Sequence, residues 1–215
     1  SAFPAEQARR VVVTGNPVRR DLGAGDAEEA ERTFSLEPGK PLLLVLGGSI
    51  GSAAINRMID EQLPELCRSS NVVHHRGPGH PAPAEHARYV WAEFFTESYV
   101  HLLARADLVV ARAGAGTVWE LASSGTPAVL VPLGSGASRG DQLRNAELYA
   151  AGGGAIVLDE AAITSEELSQ AVGALLGDSA RRGRMRDAAL RFAGKDAANR
   201  ISSLLLELVG ARSDV

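Results

Sequence analysis

The stretch LLLVLGGSIGS, Leu42 to Ser52, joins a fully apolar run to a turn that contains three glycines. Two later stretches repeat this arrangement: LVVARAGAGTVWE, Leu108 to Glu120, and AVLVPLGSGASRGDQLRNA, Ala128 to Ala146. Each turn leads into a helix-like segment. In an open parallel sheet such turns meet at the carboxyl edge of the strands, where helix amino ends present unpaired N–H groups and a partial positive charge. The three stretches therefore predict a binding site for a phosphorylated ligand.

Apolar runs of strand length alternate with segments of helical periodicity along the chain. The predicted strands are Val11 to Thr14, Leu42 to Leu46, Val72 to His75, Tyr89 to Ala92, Leu108 to Ala111, Ala128 to Val131 and Ala155 to Leu158. The predicted helices are Ala53 to Cys67, Tyr99 to Arg105, Thr117 to Ser123, Gln142 to Ala151 and Glu166 to Leu176, followed by a charged helical region from Ser179 onward. Thr164 and Glu167 form a capping-box signature. This alternation predicts an α/β, Rossmann-like three-layer fold, with a parallel sheet covered by helices on both faces.

Composition narrows the class of protein. A chain of 215 residues with 45% hydrophobic content can bury a substantial core and favours one domain. The net charge of −4 and the scattered arginines argue against nucleic-acid binding. The single cysteine, Cys67, excludes an internal disulfide, and its position near a helix end predicts an inert buried thiol. No run approaches the roughly 20 apolar residues of a membrane span, so we expect a soluble, cytoplasmic protein.

The turn from Gly47 to Gly51 matches G-x-S-x-G, the nucleophile elbow of α/β-hydrolases. A hydrolase also needs a histidine well after this turn, but the last histidine is His101. A phosphate-binding turn is therefore the favoured interpretation. Its glycines allow close approach of the backbone to a ligand, and Ser49 can offer both its hydroxyl and its N–H group.

The turn Gly114-Ala115-Gly116 resembles the opening of a dinucleotide-binding fingerprint, but Trp119 stands where that fingerprint has its third glycine. A tight turn with a purely structural role is the alternative. Glu120 favours a ligand site, because a carboxylate one turn inside the helix can accept hydrogen bonds from two ribose hydroxyls. A P-loop sequence, G-x-x-x-x-G-K-[ST], does not occur in the chain.

Two further groups of polar residues allow more than one interpretation. Asp141 and Gln142 open a helix, where the aspartate could cap the helix and the amide could bind sugar hydroxyls; the sequence leaves both open. Four histidines lie close together in the sequence, and we expect them to be ordinary surface residues, with a zinc site as the weaker alternative. These histidines are His74, His75, His80 and His86.

Four motifs, taken in order, resemble the carboxyl-terminal half of the MurG family of glycosyltransferases. They are GNPVR from Gly15, LGGSIGSAAIN from Leu46, ADLVVARAGAGTVWELASSGTPAVLVPL from Ala106 and ASRGDQLRNA from Ala137. Members of this family have the two-domain GT-B fold and transfer N-acetylglucosamine from UDP to a lipid-linked muramoyl-pentapeptide in peptidoglycan synthesis. The resemblance implies that residues 1–20 are an interdomain junction and that 21–215 are the donor-binding domain.

The resemblance also implies a set of residues that bind the UDP-sugar. The set consists of Arg19, Gly48, Ser49, Phe95, Thr96, Arg112, Gly114, Ala115, Gly116, Thr117, Glu120, Asp141 and Gln142. In this assignment Arg19 and Ser49 contact the diphosphate, while Phe95 and Thr96 line the uracil pocket. Residues 112 to 117 shape the turn over the phosphates, and Glu120 binds the ribose diol. The last two members contact the sugar, although the family usually carries glutamine where Asp141 stands.

The same resemblance implies that no cofactor or metal is required beyond the UDP-N-acetylglucosamine donor. The general base and the acceptor site belong to an amino-terminal domain, so we expect this chain alone to be inactive and the intact enzyme to work at the inner face of the cell membrane. The start SAFPAEQ, without methionine, suggests an excised or processed piece. Two alternatives remain open: a non-catalytic nucleotide-sugar subunit that needs a partner chain, and a GT-B transferase with another glycolipid or natural-product acceptor. A UDP-sugar 2-epimerase is less favoured, because no suitable carboxylate pair is present.

Overall fold

The computed structural model describes residues 11–134, 140–193 and 197–213. Six strands form one sheet in which every described pair is parallel. The strands are β1 (Leu42–Leu46), β2 (Asn71–His75), β3 (Tyr89–Ala92), β4 (Leu108–Ala111), β5 (Ala128–Leu130) and β6 (Ala155–Val157). Their order across the sheet is β3-β2-β1-β4-β5-β6. Because the strands are parallel, each connection crosses over the sheet, and the predicted α/β fold is confirmed.

Helices occupy most of these crossovers. They are α1 (Ala27–Thr33), α2 (Ala53–Ser69), α3 (Tyr99–Arg105), α4 (Ala115–Ser124), α5 (Asp141–Ala151), α6 (Ser165–Gly177), α7 (Ser179–Phe192) and α8 (Ala197–Ser213), with a short 3₁₀ helix at Arg20–Ala24. The capping box of α6 is present: Thr164 and Glu167 exchange side-chain-to-backbone hydrogen bonds. The described helices include none that is long and apolar enough to cross a bilayer.

Alternate residues of the central strands face two separate hydrophobic clusters. Leu42, Leu44 and Leu46 of β1 contribute to the cluster under α3, α4 and α5, whereas Leu43 and Val45 contribute to the cluster under α2 and α6. All five residues are at most 4% exposed. A strand that is buried on both faces has a nearly continuous apolar sequence, which is why the sequence alone could locate these strands. Cys67 is buried in the second cluster, and burial raises its pKa to about 11, as expected of an inert thiol.

In the first forty residues one predicted strand was wrong and one helix had not been predicted. Val11 to Thr14 form no strand, and the Val13 side chain is 77% exposed. A β-branched run becomes a strand only when its backbone pairs with a neighbouring strand, and this segment pairs with neither β3 nor β6, the edges of the described sheet. Helix α1 was missed; it begins after Asp26, whose side chain accepts hydrogen bonds from the N–H groups of Glu28 and Glu29.

Candidate functional site

The order of the strands reverses at the centre of the sheet. From β1 the chain adds β2 and β3 toward one edge, and from β4 it adds β5 and β6 toward the other. Strands β1 and β4 are neighbours, and Val45 pairs with Val110. The helix after β1 packs on one face of the sheet, and the helix after β4 packs on the other. The two loops that leave these strands therefore diverge at the carboxyl edge and leave a crevice between them. Open α/β sheets bind their ligands at such a switch point.

The turn after β1, residues Gly47 to Gly51, forms one wall of this crevice; we call it the glycine turn. Gly48 and Gly51 have φ angles of +86° and +78°, which residues with a side chain rarely adopt. The Gly51 N–H donates to the Gly48 carbonyl oxygen at 2.9 Å, so the turn closes on itself. Ser49 lies at its exposed tip. Apart from Gly48 and its two neighbours in sequence, none of the described residues has a heavy atom within 4 Å of the position that a Gly48 Cβ would take, so a ligand can approach the backbone there.

The amino end of α4 forms the opposite wall. Its N-cap residue is Gly114, which has no side chain to cap the helix, and no side-chain cap is found among the described residues. Ala115 and Gly116 are exposed, Thr117 is half-buried, and the position of a Gly116 Cβ is open. Because the first N–H groups of a helix have no intrahelical acceptor, this end can bind an anion.

Glu120 lies in the second turn of α4 within a small cluster of charged and aromatic side chains. The Tyr99 hydroxyl donates to Glu120 Oε2 at 2.8 Å. Burial, and then the Glu120 charge, raise the pKa of Tyr99, so the phenol remains a donor at all ordinary pH values. The guanidinium of Arg19 stands over the Tyr99 ring, 5.9 Å from its centroid. Tyr99 thus fixes one oxygen of the Glu120 carboxylate.

Arg19 and Arg112 already have carboxylate partners. Arg19 makes two hydrogen bonds of 2.6 Å to Asp21. Arg112 is buried, donating to the Val131 carbonyl oxygen at 2.9 Å and to Glu160 Oε1 at 2.5 Å. The Arg112 side chain therefore braces the base of the β4 turn against the neighbouring strand, and any effect on a ligand passes through the shape of that turn.

Phe95 and Thr96 lie in the loop between β3 and α3. Phe95 is half-buried and packs edge-on against Phe34, with ring centroids 5.5 Å apart. Thr96 is exposed. Their role in binding a base stays a prediction.

The structure at the start of α5 contradicts one of the two interpretations that its sequence allowed. Gly140, with φ +79°, is the N-cap, and Asp141 is an exposed residue of the first turn, so the capping interpretation of Asp141 was wrong. The Gln142 side-chain oxygen accepts a hydrogen bond from the Leu133 N–H at 3.1 Å. Asn145 donates to the Ala113 carbonyl oxygen at 3.1 Å, which ties α5 to the β4 turn. Residues 135–139, with most of the SGASRG segment, lie outside the described residues.

A buried polar network behind the glycine turn was not predicted. The expectation that His74 is a surface residue was wrong: its side chain is fully buried between β2 and α2. Asn56 Nδ2 donates to the Arg76 carbonyl oxygen at 3.1 Å, and Asn56 Oδ1 faces His74 Nε2 at 3.0 Å. His74 Nε2 must therefore carry the proton, and His74 Nδ1 accepts from the Tyr89 hydroxyl at 2.9 Å.

Arg76 closes this network into a ring. Its Nη1 donates to the Tyr89 hydroxyl oxygen at 3.1 Å, and its guanidinium makes two hydrogen bonds, of 2.6 and 2.9 Å, to Asp60. Asn56, His74, Arg76 and Tyr89 thus form what we call the hydrogen-bond ring. A polar residue, Asn56, on the otherwise apolar face of α2 was the one sequence signal that could have revealed it. The described residues include no cluster of three or more His, Cys, Asp or Glu side chains able to hold a metal ion.

Because His74 is buried, we expect the fold to lose stability in mild acid. Burial, and then the charge of Arg76, lower the pKa of His74 well below its ordinary value of 6.5. The unfolded chain therefore takes up a proton near pH 6.5 while the folded chain does not, so stability is present above this pH and declines below it. The expected loss at pH 5.5 is about 1.4 kcal/mol.

Urea unfolding at pH 7.5 and 5.5 measures this loss in the wild-type chain and in His74→Gln. The variant should lose about 1.4 kcal/mol less than the wild type over this interval. His75, whose pKa burial also lowers, contributes equally to both chains. An equal pH dependence of the two chains would contradict the assignment.

Comparison with known proteins identifies the family to which the chain is similar. Residues 42–201 match the glycosyltransferase family 28 C-terminal domain. A protein of Geobacillus kaustophilus named UDP-N-acetylglucosamine–N-acetylmuramyl-(pentapeptide) pyrophosphoryl-undecaprenol N-acetylglucosamine transferase is 40% identical over 167 residues, covering 77% of this chain and 47% of the relative. A protein of the same name from Desulfotalea psychrophila is 37% identical over 218 residues, covering 97% of this chain and 57% of the relative.

A solved structure agrees with these sequence relatives. The crystal structure of MurG from Acinetobacter baumannii superimposes with a TM-score of 0.67 at 26% identity, over 95% of this chain and 58% of that one. The chain thus spans about half the length of the relatives that it matches. The matched region contains the glycine turn, the α4 amino end and the start of α5.

Proposed function

Since the chain belongs to the glycosyltransferase family 28 C-terminal domain family, we propose that it is the donor-binding half of an inverting glycosyltransferase. The donor is UDP-N-acetylglucosamine, and the acceptor is a lipid-linked muramoyl-pentapeptide of peptidoglycan synthesis. Both identities rest on the names of the relatives at 37 to 40% identity. We assign the acceptor site and the general base to a further, amino-terminal domain of the working enzyme.

The observation that carries this proposal is the position of the glycine turn and the α4 amino end on either side of one switch point, after the neighbouring strands β1 and β4. A diphosphate bears charge that the N–H groups of both walls can neutralise. Ser49 adds a hydroxyl at the tip of the glycine turn, and the open space at Gly48 and Gly116 admits the ligand to the backbone. We therefore assign the pyrophosphate to this crevice.

The other parts of the donor extend from the pyrophosphate in two directions. Glu120 binds the ribose diol, because Tyr99 occupies only one of its carboxylate oxygens in the described contacts. Phe95 and Thr96 line the uracil, and Arg19 reaches the phosphates by exchanging Asp21 for the ligand. Gln142 and Asp141 stand on the sugar side, where α5 is tied to the β4 turn through Asn145.

Transfer requires stabilisation of the charge that develops on the departing UDP. Donors that are already oriented before the reaction stabilise this charge without the cost of reorganisation. The glycine turn and the α4 amino end are such donors, and we propose that they, with Ser49, carry this step without a metal ion. The acceptor domain aligns the attacking hydroxyl, and the lipid acceptor places the working enzyme at the inner face of the membrane.

The ribose assignment gives a direct test of this function. Calorimetry on the chain is expected to detect binding of UDP and UDP-N-acetylglucosamine, and weaker binding of ADP. Glu120→Gln keeps an acceptor for Tyr99 but removes the charge, and hydrogen bonds to charged groups are about twice as strong as neutral ones. The variant should therefore bind UDP about tenfold more weakly and 2′,3′-dideoxy-UDP with unchanged affinity.

The exposed Glu147 of α5 provides the matched control, and Glu147→Gln should bind both ligands like the wild type. If the wild-type chain binds no uridine nucleotide, the proposed function is wrong. Equal losses for UDP and its dideoxy analogue would remove Glu120 from the ribose site. Transfer of N-acetylglucosamine by a full-length enzyme containing this chain would separate a transferase from a non-catalytic binding subunit.

A further inference from the structure

The glycine turn rests directly on the peptide that joins Arg76 to Gly77. A Cβ atom at Gly51 would overlap the Arg76 carbonyl oxygen, and a Cβ atom at Gly77 would overlap the Gly51 backbone nitrogen. No side chain separates these two segments, so a displacement of one is transmitted to the other. The position of the Arg76–Gly77 peptide therefore sets the position of the Gly51 end of the turn.

The hydrogen-bond ring holds this peptide from the side of α2. Asn56 Nδ2 donates to the same Arg76 carbonyl oxygen that faces Gly51, at 3.1 Å. His74 orients the Asn56 amide, and Tyr89 orients His74. Asn56 and His74 are 3% and 0% exposed, so neither can contact a ligand in the crevice itself. The Asn56 amide nitrogen donates to the Arg76 carbonyl oxygen and its oxygen accepts from His74 Nε2, which fixes one orientation of the amide.

We propose that Asn56 and His74 are positioning residues for the donor diphosphate. They fix the Arg76 carbonyl oxygen, on which Gly51 rests, and thereby hold the N–H groups of the glycine turn and Ser49 in the geometry that binds phosphate. This role rests on the proposed function. It concerns the diphosphate alone, because the uracil and ribose contacts come from the loop after β3 and from α4.

A purely structural role for the ring makes a different prediction. In that case the loss of Asn56 would lower the stability of the chain, but it would leave the relative affinities for different parts of the donor unchanged. The measurement that separates the two roles is the ratio of UDP affinity to uridine affinity. NMR titration of the chain with UDP and with uridine gives both affinities under the same conditions.

Asn56→Leu removes the hydrogen bond to the Arg76 carbonyl oxygen at nearly constant side-chain volume. We expect UDP affinity to fall about tenfold while uridine affinity stays within a factor of two, because loss of the fixed geometry affects the phosphate contacts only. Amide hydrogen exchange at residues 48 to 51 should accelerate in the same variant. Tyr89→Phe removes the two bonds that the Tyr89 hydroxyl makes, to His74 and Arg76, but leaves the bond from Asn56 to the Arg76 carbonyl oxygen in place. Its UDP affinity should fall about threefold, which tests the proposal if Asn56→Leu does not fold.

Asn71→Leu is the matched control. Asn71 is a second buried asparagine, 2% exposed at the opposite end of β2, and its amide bonds the backbone of Glu37. This variant should lose stability but keep the wild-type ratio of UDP to uridine affinity. If Asn56→Leu or Tyr89→Phe also keeps that ratio while the wild type binds UDP, the positioning role is wrong and the proposed function stands. A wild-type chain that does not bind UDP would overturn both.

Discussion

Replacement of Gly51 by alanine is expected to destabilise the chain by about 3 kcal/mol. Two costs combine in this estimate. The φ of +78° disfavours any residue with a Cβ by about 1 to 2 kcal/mol. The new methyl group also meets the Arg76 carbonyl oxygen and lies 2.7 Å from the His80 ring nitrogen Nε2, and overpacking of this kind costs about 1 to 3 kcal/mol. The free energy of unfolding in urea measures the sum.

Gly48→Ala separates the two costs. Gly48 has a similar φ of +86°, but beyond its own sequence neighbours no heavy atom in the described part of the chain lies within 4 Å of the position of its Cβ. This variant should therefore lose only the conformational part, about 1 to 2 kcal/mol. If the two variants lose the same stability, the contact between the glycine turn and the Arg76–Gly77 peptide is not close, and the positioning role of the hydrogen-bond ring loses its steric basis.

The strands and helices, in their order along the chain, could be predicted because strands that are buried on both faces have continuously apolar sequences. The run Leu42 to Leu46 is apolar throughout, as a strand covered by helices on both faces must be. Helix α2 shows its apolar face at spacings of three and four residues. Val11 to Thr14 has the composition of a strand but pairs with no strand of the described sheet. Composition alone does not determine whether such a segment pairs.

The walls of the site were predictable for a related reason. Gly48 and Gly114 lie two and three residues after apolar runs, so both turns had to lie at the carboxyl edge of a parallel sheet. The partners of the side chains were not predictable. Arg112 pairs with Glu160, 48 residues later, and Asn56 meets His74 across 18 residues. Pairs of this kind depend on which distant segments the fold brings together, about which local periodicity carries no information.

The second large effect concerns turnover. Ser49→Ala, in a full-length enzyme that contains this chain, is expected to lower kcat by about 100-fold or more. Removal of one oriented donor from a developing negative charge typically costs about 2.7 to 4 kcal/mol in the transition state. Ser49 is exposed at the tip of the glycine turn and makes no described contact that supports the fold, so the chain should keep its wild-type stability.

The kinetic pattern distinguishes this role from simple donor binding. The bound diphosphate is already anionic, but the additional negative charge of the departing UDP develops only in the transition state. If the Ser49 hydroxyl stabilises this additional charge, kcat and kcat/KM for UDP-N-acetylglucosamine should fall together while KM changes little. Ser49→Thr retains the hydroxyl and should recover part of the lost activity. Ser69→Ala, at the exposed far end of α2, is the control and should match the wild type. A Ser49→Ala enzyme whose kcat stays within a factor of two would show that the hydroxyl does not meet the leaving diphosphate, and the remaining stabilisation would then have to come from the backbone N–H groups of the turn and of α4.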